Sequence, residues 1–200
     1  MHAQELVRLQ IELEYHVEGD GLIPFAGTTE QARFIVHRYK DGYVRFYRID
    51  IPVQLRLELG RIDSAQVFQS PEMVREILSA YSPCPSVGVF ESYSFAQVPQ
   101  TREYPDVIQD GKSFVVQSGD EAVCRAWCER SNTHCVEAAV ETQPAYRRRG
   151  FARQAVCALA AAEMKKGKVV FFSHKIDNLA SQALGRSLGV VHFTTCAAFE

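Results

Sequence analysis

Apolar and polar side chains alternate through VRLQIELEYHVE, from Val7 to Glu18. Period two is the mark of a half-buried strand, although leucine, glutamate and glutamine equally favour a helix. ARFIVHRYKDGYVRFYRI then sets aromatic and β-branched runs on both sides of Asp41-Gly42, the pattern of a hairpin. Ser70-Pro71 opens a short helix over PEMVREILSAY, a capping residue followed by proline in the first turn. Two proline-punctuated stretches follow, YSPCPSVG and QVPQTREYPDVIQDG. The second is the candidate boundary between an N-terminal elaboration, residues 1–99, and a second domain, residues 100–200.

From Lys112 the pattern sharpens. SFVVQ, AVCRAWCER and HCVEAAVET read as three strands joined by the turn-rich SGDE and SNT. Connections this short favour an antiparallel meander. Pro144 ends the third strand, because proline cannot donate to a continuing ladder. In FARQAVCALAAAEMKKG the apolar positions 151, 152, 155, 156, 159 and 160 trace one helical face. Lys165, Lys166 and Gly167 close that helix with cations matched to its dipole and a left-handed cap. KVVFFS is a buried strand, NLASQALGRSL a helix capped by Asp177 or Asn178 and ended by Gly189, and VVHFTTCAAF a last strand.

Composition narrows the function classes. A formal net charge of −2 over 200 residues excludes a general nucleic-acid or polybasic membrane binder, so any basic patch is local. No apolar run reaches the length that spans a bilayer, and the N-terminus lacks a signal peptide's apolar stretch, so a cytoplasmic protein is expected. The six cysteines lie in otherwise apolar segments and read as buried thiols. Cys124, Cys128, His134 and Cys135 are soft ligands in one short stretch, but no tight C-x2-C knuckle accompanies them and no metal site is expected.

One basic patch remains. QPAYRRRGFA puts Arg147, Arg148 and Arg149 directly before Gly150, where the helix begins. A helix start leaves backbone N–H groups without partners and carries partial positive charge, which suits a phosphate or pyrophosphate. Gly150 and Ala152 keep side chains small where an anion would approach, and arginines add bidentate contacts. The alternative is a solvated basic turn or a minimal nucleic-acid patch. Neither a P-loop nor a dinucleotide-binding glycine pattern is present.

HCVEAAVETQPAYRRRGFARQAVCAL resembles the acyl-coenzyme-A-binding motif [RQ]-x-x-G-x-[GA] of the GNAT N-acetyltransferase superfamily, with Arg147, Gly150 and Ala152 at the defined positions. KVVFFSHKIDNLASQALGRSLG resembles the strand and asparagine-led helix that follow it there, so the likeness runs from about Lys112 to Glu200. The strand ending T-x-P-x-Y-R is most similar to an uncharacterised GNAT-like acetyltransferase branch.

The resemblance implies an α+β fold, a GNAT-like mixed and mostly antiparallel sheet flanked by helices, with an N-terminal α/β extension. It implies acetyl-coenzyme A as co-substrate and a small-molecule or peptide amine as acceptor, in a monomer or homodimer. Val140, Glu141 and Thr142 would run along the pantetheine arm, with the Val140 amide polarising the thioester. Arg148, Arg149, Gly150, Phe151, Ala152 and Arg153 would hold the pyrophosphate on their amides, and Asn178 would touch the arm. Glu137 is the candidate base, on condition that a bulge near Val140 turns it inward; otherwise it is a solvated strand carboxylate. Gly185 stands where many members carry an acidic tyrosine, with Ser173, His174 and Ser181 as candidate substitutes. The alternative is a GNAT fold kept as an inactive coenzyme-A-binding or interaction module.

Overall fold

The computed structural model describes residues 1–19, 21–25, 31–84, 86–101, 104 and 106–200, and it places the start of the first alternating stretch, Val7–Ile11, in a helix that ends before the rest of it. This helix, α1 (Ala3–Ile11), buries Leu6, Val7 and Ile11. Val7 and Ile11 are four residues apart, one helical turn, whereas Leu9, which a strand would have placed beside them, is only half-buried. Glu5 in the first turn and the Arg8–Glu12 pair at 3.1 Å add local helix support. The period-two pattern was real, but helix propensity and the Leu6–Val7–Ile11 face decided the outcome.

The remaining elements are β1 (Leu22–Ile23), β2 (Phe34–Tyr39), β3 (Gly42–Arg48), α2 (Val53–Arg61), α3 (Ser64–Gln69), α4 (Pro71–Tyr81), β4 (Val87–Ser94), β5 (Val107–Asp110), β6 (Ser113–Ser118), β7 (Glu121–Ser131), β8 (Cys135–Thr142), α5 (Phe151–Lys165), β9 (Val169–Lys175), α6 (Leu179–Leu188) and β10 (Val191–Phe199). They form two compact units, Met1–Glu91 with Phe193–Glu200, and Ser92–His192. The sequence points to a single boundary at 99/100; the structure divides the chain between Glu91 and Ser92 and returns its last strand to the first unit. Residues 85, 102, 103 and 105 of the two proline-punctuated stretches lie outside the described residues.

In the first unit the strands run in the order β1-β3-β2-β10-β4. β2 and β3 form the expected hairpin, closing at Tyr39↔Gly42, and β10 lies antiparallel to β2. Phe34, Val36, Leu55, Leu59, Val74, Leu78 and Phe199 make the core. α4 begins at Pro71 as its sequence requires. The Asp63 carboxylate caps α3, accepting from the Ala65 N–H at 2.7 Å.

In the second unit β5 to β8 make an antiparallel meander, and β8 then pairs with β9 in parallel. α5 is the crossover between those two strands. Its buried Ala155, Val156, Leu159 and Ala160 pack on Val116, Cys124, Ala126, Val136, Ala138 and Val170. Gly167 closes α5 and Gly189 closes α6, both left-handed. Glu163, buried at the end of α5, is held by Lys166 at 2.6 Å and Lys168 at 3.5 Å. All six cysteines are free thiols, five of them buried and Cys128 half-buried. Burial pushes the thiols of Cys84, Cys124, Cys128 and Cys157 up, away from the reactive thiolate. Among the described residues no helix is long and apolar enough to cross a membrane.

Candidate functional site

β8 ends at Thr142, a single 3-10 turn covers Pro144–Tyr146, and α5 starts after Gly150. Between them the backbone turns twice through the left-handed region, at Arg148 (φ 63°) and at Gly150 (φ 83°). Glycine takes that conformation freely, whereas an arginine held there costs about 1–2 kcal/mol. Such strain collects at binding sites. The Gln154 N–H is the donor that reaches the Gly150 carbonyl, at 3.1 Å, so the amides of Phe151, Ala152 and Arg153 have no acceptor within the helix. A Cβ added to Gly150 would meet nothing within 4 Å. The helix start therefore faces open space, with Arg147 to Gly150 all exposed around it.

Side chains fix this loop in place. Arg147 Nε donates to the Thr142 carbonyl at 3.2 Å. The Arg149 guanidinium lies 5.2 Å from the Tyr146 ring centroid, and Tyr146 donates its hydroxyl to Glu121 on β7 at 2.8 Å. Arg153 Nε donates to the Ser187 carbonyl of α6 at 2.9 Å, and its guanidinium lies 5.8 Å from the Tyr104 ring. The sequence reading assigned no role to Tyr146, Glu121, Tyr104 or Ser187. Tyr146 could have been found, since it sits within the motif; the other three come from elsewhere in the chain and leave no local signal.

The second feature is the edge of β8. Across the antiparallel ladder with β7, the Gln143 N–H donates to the Val123 carbonyl at 3.0 Å, next to the rung Cys124↔Thr142. Antiparallel rungs alternate, so Glu141 and Ala139 direct their backbone groups at β7, while Thr142, Val140 and Ala138 direct theirs the other way, toward β9. On that side the parallel rungs are Cys135↔Val169, Val136↔Val170 and Glu137↔Phe171. Beyond them β8 runs on to Thr142 and β9 to Lys175, with no rung between them among the described residues. The two strands diverge, and the Val140 backbone faces the opening.

The structure places the other candidates as follows. Glu137 lies on the face of β8 opposite to Val136, Ala138 and Val140, which pack toward α5. The bulge that would turn it inward is absent from β8; the register shift lies in β7, between Cys128 and Arg130. Its carboxylate accepts from Arg130 at 2.8 Å. Glu141 shares that outer face, where the cross-strand row Ile108, Val115, Arg125 and Glu141 lines a cleft of about 660 Å³. Thr142 donates its hydroxyl to the Cys124 sulfur at 3.1 Å. Asn178 caps α6, its side-chain oxygen accepting from the Ser181 N–H at 3.0 Å. Ser173 donates to the Ser92 hydroxyl at 3.1 Å. Among the described residues no group of three His, Cys, Asp or Glu side chains could hold a metal ion.

The family model described as GNAT acetyltransferase matches residues 89–198. In structure the chain is similar to a GNAT-family protein from Novosphingobium aromaticivorans, with a TM-score of 0.51 and 16% identity, covering 58% of this chain and 65% of that one. It is also similar to an acetyltransferase of the GNAT family from Colwellia psychrerythraea, with a TM-score of 0.52 and 10% identity, covering 92% of this chain and 79% of that one. No curated protein matches the sequence. At these identities the structural likeness is one of fold, and the family rests on the model match.

Proposed function

This chain belongs to the GNAT acetyltransferase family, and from that premise we propose that it transfers an acetyl group from acetyl-coenzyme A directly to an amine, with no covalent enzyme intermediate. The observation that carries the proposal is the meeting of two unsatisfied backbone surfaces in one place. The open edge of β8 at Val140 leads, through the strained Arg148–Gly150 turn, to the open N-terminus of α5.

Each surface suits one part of the cofactor. The amides from Arg148 to Arg153, with the arginine side chains around them, fit a pyrophosphate. On the β8 edge the Val140 N–H and C=O and the Thr142 N–H are offered to an amide-bearing arm laid alongside it as a strand would be, the Thr142 carbonyl already accepting from Arg147. Asn178 keeps its side-chain amide nitrogen available at the start of α6 while its oxygen caps that helix. When bound, acetyl-coenzyme A supplies an activated thioester carbonyl. The Val140 N–H is placed to donate to the oxygen that gains charge as the amine attacks. Holding the two reactants together supplies much of the remaining acceleration. The acceptor is a small-molecule or peptide amine.

The test is direct. The protein is titrated with coenzyme A by calorimetry, then assayed for release of free thiol from acetyl-coenzyme A across an amine library. Binding in the calorimeter with thiol release for at least one amine is expected; absence of coenzyme A binding would remove the basis of the proposal. A second reading has one observation behind it, Gly185 in place of a tyrosine: a coenzyme-A-binding module without turnover. Binding with no thiol release for any amine is its signature.

A further inference from the structure

Beyond the last β8–β9 rung, β9 carries a buried polar atom without a partner. His174 on β9 is 6% exposed, and its Nε2 has no hydrogen-bond partner. Its Nδ1 lies 3.0 Å from the Lys175 carbonyl oxygen. A carbonyl only accepts, so Nδ1 carries a proton and Nε2 of the neutral ring presents a lone pair. A buried acceptor left without a partner is destabilising, a cost that an apolar side chain at this position would avoid.

Its position in the register gives that atom a context. The last parallel rung is Glu137↔Phe171. Continued along both diverging strands, the same register sets Val140 against His174, the residue with the open amide against the residue with the open imidazole. From α6 comes Gly185: a Cβ added there would stand 3.5 Å from Phe172 and 3.9 Å from His174 Nε2. Such a Cβ would be in ordinary van der Waals contact with both rings. The imidazole on the strand therefore lies against position 185 of the helix, where this chain has no side chain.

We propose that His174 is a catalytic residue of the acetyl transfer, accepting the proton lost by the amine and returning it to the sulfur. This rests on the acetyltransferase reading above. As the C–N bond forms, the amine nitrogen gives its surplus proton to Nε2; as the C–S bond breaks, the thiolate takes that proton back from Nε2. Reactants and products balance as amine plus thioester giving amide plus thiol, and the ring ends as it began. One group serves as base and then as acid, which removes the need for a separate acid on α6. The titratable groups facing the ring are Tyr93 from β4, at 5.5 Å between centroids, and behind it His192 of β10, 5.3 Å from Tyr93. β9 itself adds Lys175, and α6 presents Gly185.

The experiment has two arms. In the first, nitrogen-15 spectra of histidine-labelled wild-type protein are recorded with and without coenzyme A. His174 should show a protonated Nδ1 and an unprotonated Nε2, with the Nε2 resonance moving when coenzyme A is added. In the second, His174→Gln, with His174→Phe as a second, aromatic variant that carries no titrating group, is compared with wild type for folding, coenzyme A affinity and thiol release against pH. Both variants should keep coenzyme A affinity within threefold, lose about 100-fold or more in thiol release, and lose the acidic limb of the wild-type pH profile. A folded His174→Gln with the wild-type rate and pH profile overturns this proposal alone, as does a protonated Nε2 or a resonance indifferent to coenzyme A, whatever the variants do. Wild-type protein that neither binds coenzyme A nor releases thiol overturns the acetyltransferase reading and this proposal with it.

Discussion

At Arg148 the backbone and the side chain make opposite demands, and a single substitution separates them. The left-handed φ of 63° costs an arginine about 1–2 kcal/mol. Arg148→Gly relieves that strain, offset in part by the larger entropy of the unfolded glycine, so its melting temperature should match or exceed wild type. On the proposed function its coenzyme A affinity should fall, because the guanidinium assigned to the phosphates is gone. Calorimetry and thermal unfolding on the same sample check both halves, and an unchanged affinity would detach Arg148 from the cofactor. Gly150→Val works the other way. At φ 83° any side chain is strained, and this one also fills the open space before the helix start, so both stability and affinity should drop. Glu137 gives a third test. Its ion pair with Arg130 lies on the face away from Val140, so Glu137→Gln should keep thiol release within about twofold of wild type. The stability cost should be below about 1 kcal/mol, since Arg130 is partly solvated. A loss of about 100-fold in turnover at constant affinity would instead restore Glu137 as the base.

Elements with a strong period and marked ends were legible; those without were not. α5 carries a helical apolar face, a glycine at each end and lysines in its last turn, and it runs from Phe151 to Lys165 as read. The meander of β6, β7 and β8 was readable from its short polar turns. β5 falls inside the stretch whose prolines mark a candidate boundary, and its four residues are mostly exposed, with no apolar alternation to betray a strand. α2 follows Pro52 and α3 follows the Asp63-Ser64 cap, but both are short and neither carries the Ser-Pro start and acidic first turn that marked α4. In the site, the arginines and Gly150 announce themselves within one short motif. The pairing of Glu137 with Arg130 does not, because it depends on where β7 bulges. Nor does the register of β8 and β9, whose last rung is Glu137↔Phe171 and which, continued, would set Val140 opposite His174. Local chemistry is written locally; register is not.

Over the whole molecule, each compact unit has its own core, and the family match covers residues 89–198. Most of the first unit therefore lies outside what the family model describes, and its stability can be followed by a group of its own. His37, on β2, is 3% exposed, packs edge-on against Phe46 at 5.9 Å and has no partner for its Nε2. Burial holds its imidazole neutral and lowers its pKa from 6.5 to about 3. The sign follows from where the proton binds. Between those two values the unfolded chain takes up a proton that the folded protein refuses, so acid favours unfolding. The contribution of His37 is complete above pH 6.5 and is lost progressively as the pH falls toward 3, by at most about 1.4 kcal/mol per pH unit. Chemical unfolding of the full chain at pH 7, 6 and 5 should show that loss. In His37→Gln, which carries no titrating ring, the fall between pH 6 and 5 should be shallower by roughly 1 kcal/mol. The variant will start from a lower stability at pH 7, so it is the slope that decides: equal slopes would mean that His37 takes up its proton in the folded protein as readily as in the unfolded one.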